Sequence, residues 1–204
     1  MNTERHRARG FSLAAALLLL AGCHSTTLST TWKDPAAENL SFNKLVVLVL
    51  NSSPGERRAQ EDTLVANIKR VNVQPSYPII PDELLEDIPK AKQRIIDGGF
   101  DGAVVLRLVD TRQQTSYVPP TASSSWNDGW GGGYGASYST YHVNPGYTVT
   151  DTFVRAEISL YAVPSGKLLW AGASETTNPA NARAFATDVL KAAAEELRKQ
   201  GMLR

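Results

Sequence analysis

Apolar residues in this chain fall in short runs, solid or alternating, separated by clusters of proline, glycine and asparagine. Leu45 to Leu50 (LVVLVL) is unbroken and bounded by Asn43 and by Asn51-Ser52-Ser53-Pro54-Gly55, as expected of a strand covered on both faces or nearly so. Residues 56–69 place Leu64, Val65 and Ile68 on one stripe, with Glu56, Arg57, Arg58, Glu61 and Asp62 as a wet side, which predicts an amphipathic helix. Val71 to Gln74 predicts a short strand that ends at Pro75, because proline cannot continue a ladder. Asp82 suits the cap of a short helical turn, and Pro89 suits the first turn of a second helix, where its missing N–H costs nothing. Ala91, Ile95 and Ile96 form that helix's buried stripe, and Gly98-Gly99 stops it.

Gly102 to Val109 (GAVVLRLV) is a further strand, and Pro119-Pro120 ends its extension. Thr148 to Val163 alternates, with Val154, Ala156, Ile158, Leu160 and Ala162 on one face and Phe153, Arg155, Glu157, Ser159 and Tyr161 on the other, the period of a half-buried strand. Pro164-Ser165-Gly166-Lys167 turns the chain, and residues 168–173 return as its partner. Asn178-Pro179 opens a last helix with Ala182, Phe185, Ala186, Val189, Leu190, Ala193 and Leu197 on one side, ended by Gly201. The order β-α-β-α-β-β-β-α predicts one compact α/β domain, leaning towards α+β, with three main helices and a mixed five-stranded sheet. The first half should pair in parallel and the 148–173 hairpin antiparallel. Whether helices cover one face or both is open at this level.

The amino terminus changes the picture. Residues 1–10 hold Arg5, Arg7 and Arg9 against Glu4, and Phe11 to Leu20 supply a ten-residue core that is apolar apart from Ser12. That core is shorter than the roughly 20 residues needed to cross a bilayer, and with its basic flank it reads as an export signal. It ends in Leu20-Ala21-Gly22-Cys23, and Cys23 is the chain's one cysteine. A lone thiol is a liability in an oxidising compartment. The pattern therefore predicts a lipoprotein signal peptide over 1–22, cleavage before Cys23 and acylation of Cys23. An ordinary secretory leader cut near Ala21 is the plainer alternative. Residues 24–31 (HSTTLSTT) are polar, so 23–31 reads as a lipidated tether spanning at most roughly 25 Å beyond the lipid. The domain then occupies 32–204, with Trp32 as its first anchor onto the core.

Cleavage leaves 182 residues, and the formal charge moves from +1 to −1. No nucleic-acid motif accompanies that near-neutral balance. Ser165-Gly166-Lys167 lacks the spacing of a phosphate loop and sits between strands, so it reads as a hairpin turn. Gly98-Gly99-Phe100-Asp101-Gly102 follows a helix rather than opening one, the wrong side for dinucleotide binding. His24 and His142 are the histidines left after cleavage, too few with Cys23 for a zinc cluster, and His142 falls in a loop that does not hold a catalytic base rigidly. No cofactor or metal is called for. Asp110 and Asp151 flank the long loop and Glu175 follows the last strand, so facing carboxylates of a hydrolase remain an alternative. Arg107 and Glu157 would pair across strands if those strands are neighbours.

The loop at 121–147 has an unusual composition. It contains Trp126, Trp130, Tyr134, Tyr138, Tyr141 and Tyr147, many glycines and serines, and no lysine, arginine or glutamate. Tryptophan and tyrosine supply amphipathic contact area while glycine and serine let a loop adapt. These six aromatics are the candidate contact surface for a protein or cell-wall glycan, or a fringe on the membrane interface. A disordered or self-packed hairpin extension is the alternative.

Leu20-Ala21-Gly22-Cys23, Thr31-Trp32-Lys33-Asp34-Pro35, Arg57-Arg58-Ala59-Gln60-Glu61-Asp62, Pro75-Ser76-Tyr77, Gly99-Phe100-Asp101-Gly102-Ala103-Val104-Val105, Tyr117-Val118-Pro119, Pro145-Gly146-Tyr147 and Ser174-Glu175-Thr176 together resemble a group of Gram-negative outer-membrane lipoproteins with no assigned enzyme activity. In element order the domain is also similar to the amino-terminal domain of TolB, to the lipoprotein activators of penicillin-binding proteins and to the curli-secretion lipoprotein. The resemblance implies three acyl chains on Cys23, palmitate among them. Because His24 rather than aspartate follows the cysteine, it also implies placement in the outer membrane facing the periplasm. It implies a non-enzymatic binding or assembly module of the cell envelope, whose partners are the membrane through its lipid and an envelope protein or peptidoglycan, with no nucleic acid. An envelope glycan or lipid hydrolase, or a purely structural lipoprotein, are the alternatives.

Overall fold

A computed structural model of the chain describes residues 25–69, 71–125, 140–163 and 165–203. Its elements are β1 (Ser25–Lys33), β2 (Lys44–Leu50), α1 (Pro54–Asn67), β3 (Asn72–Pro75), a 3-10 turn (Asp82–Leu84), α2 (Ile88–Asp97), β4 (Gly102–Val118), β5 (Thr121–Ser125), β6 (Thr140–Asn144), β7 (Tyr147–Ala162), β8 (Lys167–Thr177) and α3 (Ala182–Lys199). Six strands form a mixed sheet in the order β1-β8-β7-β4-β2-β3, and β5 and β6 form a separate two-stranded ribbon. β2 pairs in parallel with β3 and β4, while β4, β7, β8 and β1 run antiparallel. The fold is thus the expected single mixed α+β domain with three helices, with six strands in the sheet rather than five.

The additional strand lies where a tether was expected. Ser25 pairs with Thr177 and Lys33 with Trp170, so residues 25–33 are an edge strand of the sheet. Their Ser/Thr-rich sequence reads as linker because one edge of the strand is solvated, yet Leu28 packs on the core and Thr26 shares a 2.8 Å hydroxyl hydrogen bond with Thr176. An irregularity between Leu28 and Thr30 then shifts the alternation, as a bulge does. Trp32 consequently faces away from α1 and α3 and is 49% exposed, not the core anchor expected of it.

α1 and α3 lie together on one sheet face. Leu45, Val47 and Val49 meet them there with Ile158, Leu160, Trp170, Phe185, Val189 and Leu197. Val46 points the other way, into a small second core with Phe100, Ala103 and Ile95 of α2. This two-sided burial explains the unbroken apolar run of β2. Helices therefore cover one face broadly and the other at one end.

The helix ends follow their sequence signals with local corrections. Glu56 accepts from the Ser53 N–H at 3.3 Å and from its hydroxyl at 2.8 Å, with Pro54 opening α1. Asp87, not Asp82, accepts from Lys90 N (3.2 Å) to cap a helix. α3 starts at Ala182, later than Asn178-Pro179 suggests, and Asn181 caps it through Ala184 N at 2.9 Å. Asn178 instead holds the end of β8 to β7, its side chain accepting from Thr152 N at 2.7 Å. Ser165-Gly166-Lys167 is a hairpin turn, with Gly166 at φ +71°.

Candidate functional site: a projecting ribbon and the sheet face behind it

β4 and β7 do not stop where their neighbours do. The row Ser25–Thr177–Phe153–Arg112 is the last in which β1 and β8 take part. Past it, β4 and β7 continue alone for six register pairs, from Gln113 opposite Thr152 to Val118 opposite Tyr147, or about 20 Å at strand rise. Residues 111–117 and 147–150 are exposed along this arm. β5 and β6 continue beyond it with Thr121 opposite Asn144 and Ser124 opposite Tyr141. The loop expected over 121–147 is therefore bounded by paired strands. The Thr, Ser and Gln residues of the β4–β7 arm mask a strand pattern because neither side of the arm is buried.

Large exposed apolar side chains concentrate on this arm and its extension. Tyr117, Val143, Tyr147 and Val149 are there, with Trp32, Ile88 and Val109 elsewhere among the described residues. Tyr147 is 60% exposed. It shares a ribbon face with Val149, and that face continues the uncovered side of the sheet through Phe153 to Arg155 and Glu157. Tyr117, on the opposite face, lies over Gly146, where an added Cβ would meet its ring and hydroxyl. Of the other candidate aromatics, Tyr141 lies in β6 opposite Ser124, while Trp126, Trp130, Tyr134 and Tyr138 fall outside the described residues, as does Cys23.

The carboxylates do not assemble into a catalytic pair. Asp110 stands opposite Arg155 and Asp151 opposite Gln114, four positions or roughly 13 Å apart along β7. Asp151 accepts from Asn178 Nδ2 at 2.8 Å. Glu175 is clamped by Arg155 at 2.7 Å and Arg112 at 3.3 Å, and the hydrogen bond from Arg155 holds its carboxyl below the usual range. Arg112 in turn lies over the Phe153 ring at 5.0 Å. Arg107 and Glu157 do stand opposite each other on neighbouring strands. Among the described residues, no three His, Cys, Asp or Glu side chains converge as a metal site.

A polar centre that the sequence reading missed lies inside α1. Arg57 and Glu61, expected on the wet side, are 1% and 0% exposed. Residues 57, 60, 61 and 64 follow the i, i+3, i+4, i+7 stripe facing the sheet, and all of them are buried. Arg57 donates to Glu61 (3.0 Å), Asp82 (2.7 Å), Ser76 Oγ (2.8 Å) and Ile80 O (2.9 Å). Glu61 accepts from Val49 N, Ser76 Oγ, Ser76 N and Tyr77 N at 2.7–3.0 Å as well. With every lone pair engaged, the carboxylate serves to bind α1, β2 and the segment after β3 together, and it has no free site for proton transfer. Helical spacing carried the signal, and the charges hid it.

Neither a protein-family model nor a curated protein matches the sequence. Among solved structures, PelC from Paraburkholderia phytofirmans, a dodecamer, is similar at 12% identity over 83% of this chain and 94% of that one, with a TM-score of 0.42. Lipoprotein GNA1162 from Neisseria meningitidis is similar at 12% identity over 77% of this chain and 99% of that one, with a TM-score of 0.37. At these scores the likeness assigns neither family nor activity. No helix among the described residues is long and apolar enough to cross a membrane.

Proposed function

We propose that this chain is a non-enzymatic, lipid-anchored module of the outer membrane that binds or assembles with an envelope partner through its ribbon. The observation that carries this is the β4–β7 arm: six register pairs past the end of β8, the first braced at Thr152 by Asn178 and the others without a further described strand along their edges, with Tyr147, Val149 and Tyr117 presented to solvent. An isolated two-stranded ribbon is marginal in water, and open strand edges with apolar side chains are docking elements. The N-terminal geometry supports a partner at the membrane surface. Only His24 separates Cys23 from β1, and Ser25 lies in the row from which the arm leaves the body. Acylated at Cys23, the domain has its arm and its anchor at the same end, so the partner is a protein in or against the membrane rather than distant peptidoglycan.

The test is photo-crosslinking in intact cells from probes at Tyr147 and Val149, with Arg183 on α3 as control. A defined adduct from the ribbon positions, absent at 183 and lost in a Cys23→Ser chain released from the membrane, is the expected result. Identical adducts at all three positions, with unchanged envelope integrity after replacing 114–151 by a short turn, would overturn the proposal.

A further inference from the structure

The helix-covered side of the sheet holds a cleft of about 950 Å³, near the top of the roughly 300–1,000 Å³ range of small-molecule sites. Its floor is the main core itself: Val104, Ile158 and Trp170, which are 8%, 3% and 1% exposed. Phe42 forms one wall, with Ile68 and Leu190 facing it from the end of α1 and from α3. Its polar lining is Asn39, Ser41, Asn67 and Ser159 with Lys69 and Arg198 as the charged residues, all but Ser159 exposed. No acid lines the cleft among the described residues. Glu195 and Lys191 lie along an adjoining, more open groove of about 160 Å³ that shares Asn67, Leu190, Ala194 and Arg198 with the cleft, and Arg198 makes no ion pair within the described residues. Lys69 donates to the carbonyl of Ala66 and is exposed.

From this arrangement we infer that the cleft binds a single long acyl chain with an anionic head, the chain along Phe42, Ile68 and Trp170 and the head at Lys69 and Arg198. A largely apolar trough with Lys69 and Arg198 and no acid in its own lining complements that chemistry, and Lys191 beside Glu195 in the adjoining groove leaves cations in excess there. The head is a carboxylate or a phosphate, as in a fatty acid or a lysophospholipid. The proposed occupant is a separate amphiphile, and the Cys23→Ser chain used in the test removes the chain's own anchor as a competitor. The cleft lies at the Lys33–Trp170 end of β1, whereas Ser25, two residues after Cys23, pairs with Thr177 at the other end, about 27 Å along the strand.

The test uses the full chain carrying Cys23→Ser, purified without detergent, and quenching of tryptophan fluorescence by dibromostearate, with dibromostearyl alcohol and a brominated lysophosphatidylglycerol as companion probes. Saturable one-to-one quenching by dibromostearate is expected, weakened about three- to ten-fold in Lys69→Ala/Arg198→Ala and weaker still in Ala194→Glu, whose added carboxylate enters the cleft. The double variant changes two exposed side chains, so its far-UV spectrum and melting are expected to match the parent. Tighter binding of the lysophospholipid assigns the head as phosphate, and tighter binding of stearate assigns it as carboxylate. The inference is overturned if dibromostearate does not saturate, or if the alcohol binds as well as the acid and the double variant binds unchanged. It is equally overturned if the parent is a dimer and Ala194→Glu a monomer, which would give the cleft to a second copy.

Discussion

Removing the Glu61 carboxylate leaves Arg57 as a guanidinium buried to 1% exposure, with Asp82, itself 27% exposed at its side chain, as its remaining charge partner. It also strips the acceptor from Val49 N and Tyr77 N and leaves Ser76 N with the Val47 carbonyl alone. Breaking a buried pair by deleting one member costs about 3–5 kcal/mol. Each buried N–H left unpaired costs about 1–3 kcal/mol, a contribution that overlaps the first rather than adding to it. Glu61→Ala is therefore expected to lose about 3–5 kcal/mol. Glu61→Gln loses somewhat less, since its amide oxygen keeps part of the acceptor set while its NH2 faces donors. In urea, with a slope of about 2–3 kcal/mol per molar, the Glu61→Ala loss moves the unfolding midpoint down by roughly 1–2 M at constant slope. A cycle of Arg57→Met, Glu61→Met and the double variant separates pair from packing. If each single change strands the other charge, the double variant costs less than the sum of the singles by about 2 kcal/mol or more. A Glu61→Ala midpoint within about 0.3 M of the parent, or additive Met substitutions, would refute the account of this network as the lock between α1, β2 and β3.

Burial raises the Asp101 carboxyl, but hydrogen bonds from Asn43 N (2.7 Å), Lys44 N (2.9 Å) and Asn43 Nδ2 (3.0 Å) outweigh it and hold the group below its ordinary value. Between the lowered folded value and the ordinary one the unfolded chain binds more protons, so Asp101 stabilises fully above the usual carboxylate range and less as pH falls through the folded value. Asp101→Asn is expected to flatten the acid limb of stability against pH, and an unchanged limb would show that other carboxylates govern it. A Cβ at Gly102 would sit 2.5 Å from Leu45 Cδ2 and Phe42 Cδ1, so Gly102→Ala should cost about 1–3 kcal/mol in a melt, and a neutral result would mean that Phe42 moves freely. Replacing 114–151 by a short turn removes, among the described side chains, ones that are exposed or half-buried and outside the core, so the melting temperature of the body should change little. A large drop would show that the arm supports the sheet.

The chain's hydrophobic pattern by itself specified the element order, the parallel and antiparallel halves, the hairpin at 165–167 and the stripe of α3. Each of these puts apolar side chains on a buried face, and burial writes a period into the sequence. The same logic fails where burial and hydrophobicity part. β1 is a strand whose side chains are largely solvated, so its threonines and serines carry no period-2 apolar signal and only backbone pairing with Thr177 to Trp170 defines it; that β4 and β7 run on together past the end of β8 likewise comes from their register. Arg57 and Glu61 fail in the opposite sense, being buried charges whose partners Ser76 and Asp82 are distant in sequence. Asp110, Asp151 and Glu175 shared a candidate site on paper, but register separates the first two and two arginines occupy the third. Spacing along a chain sets which face a residue occupies. Which residues meet across that face depends on strand register and on which helix covers it, and that is where the ribbon, the lock and the cleft were decided.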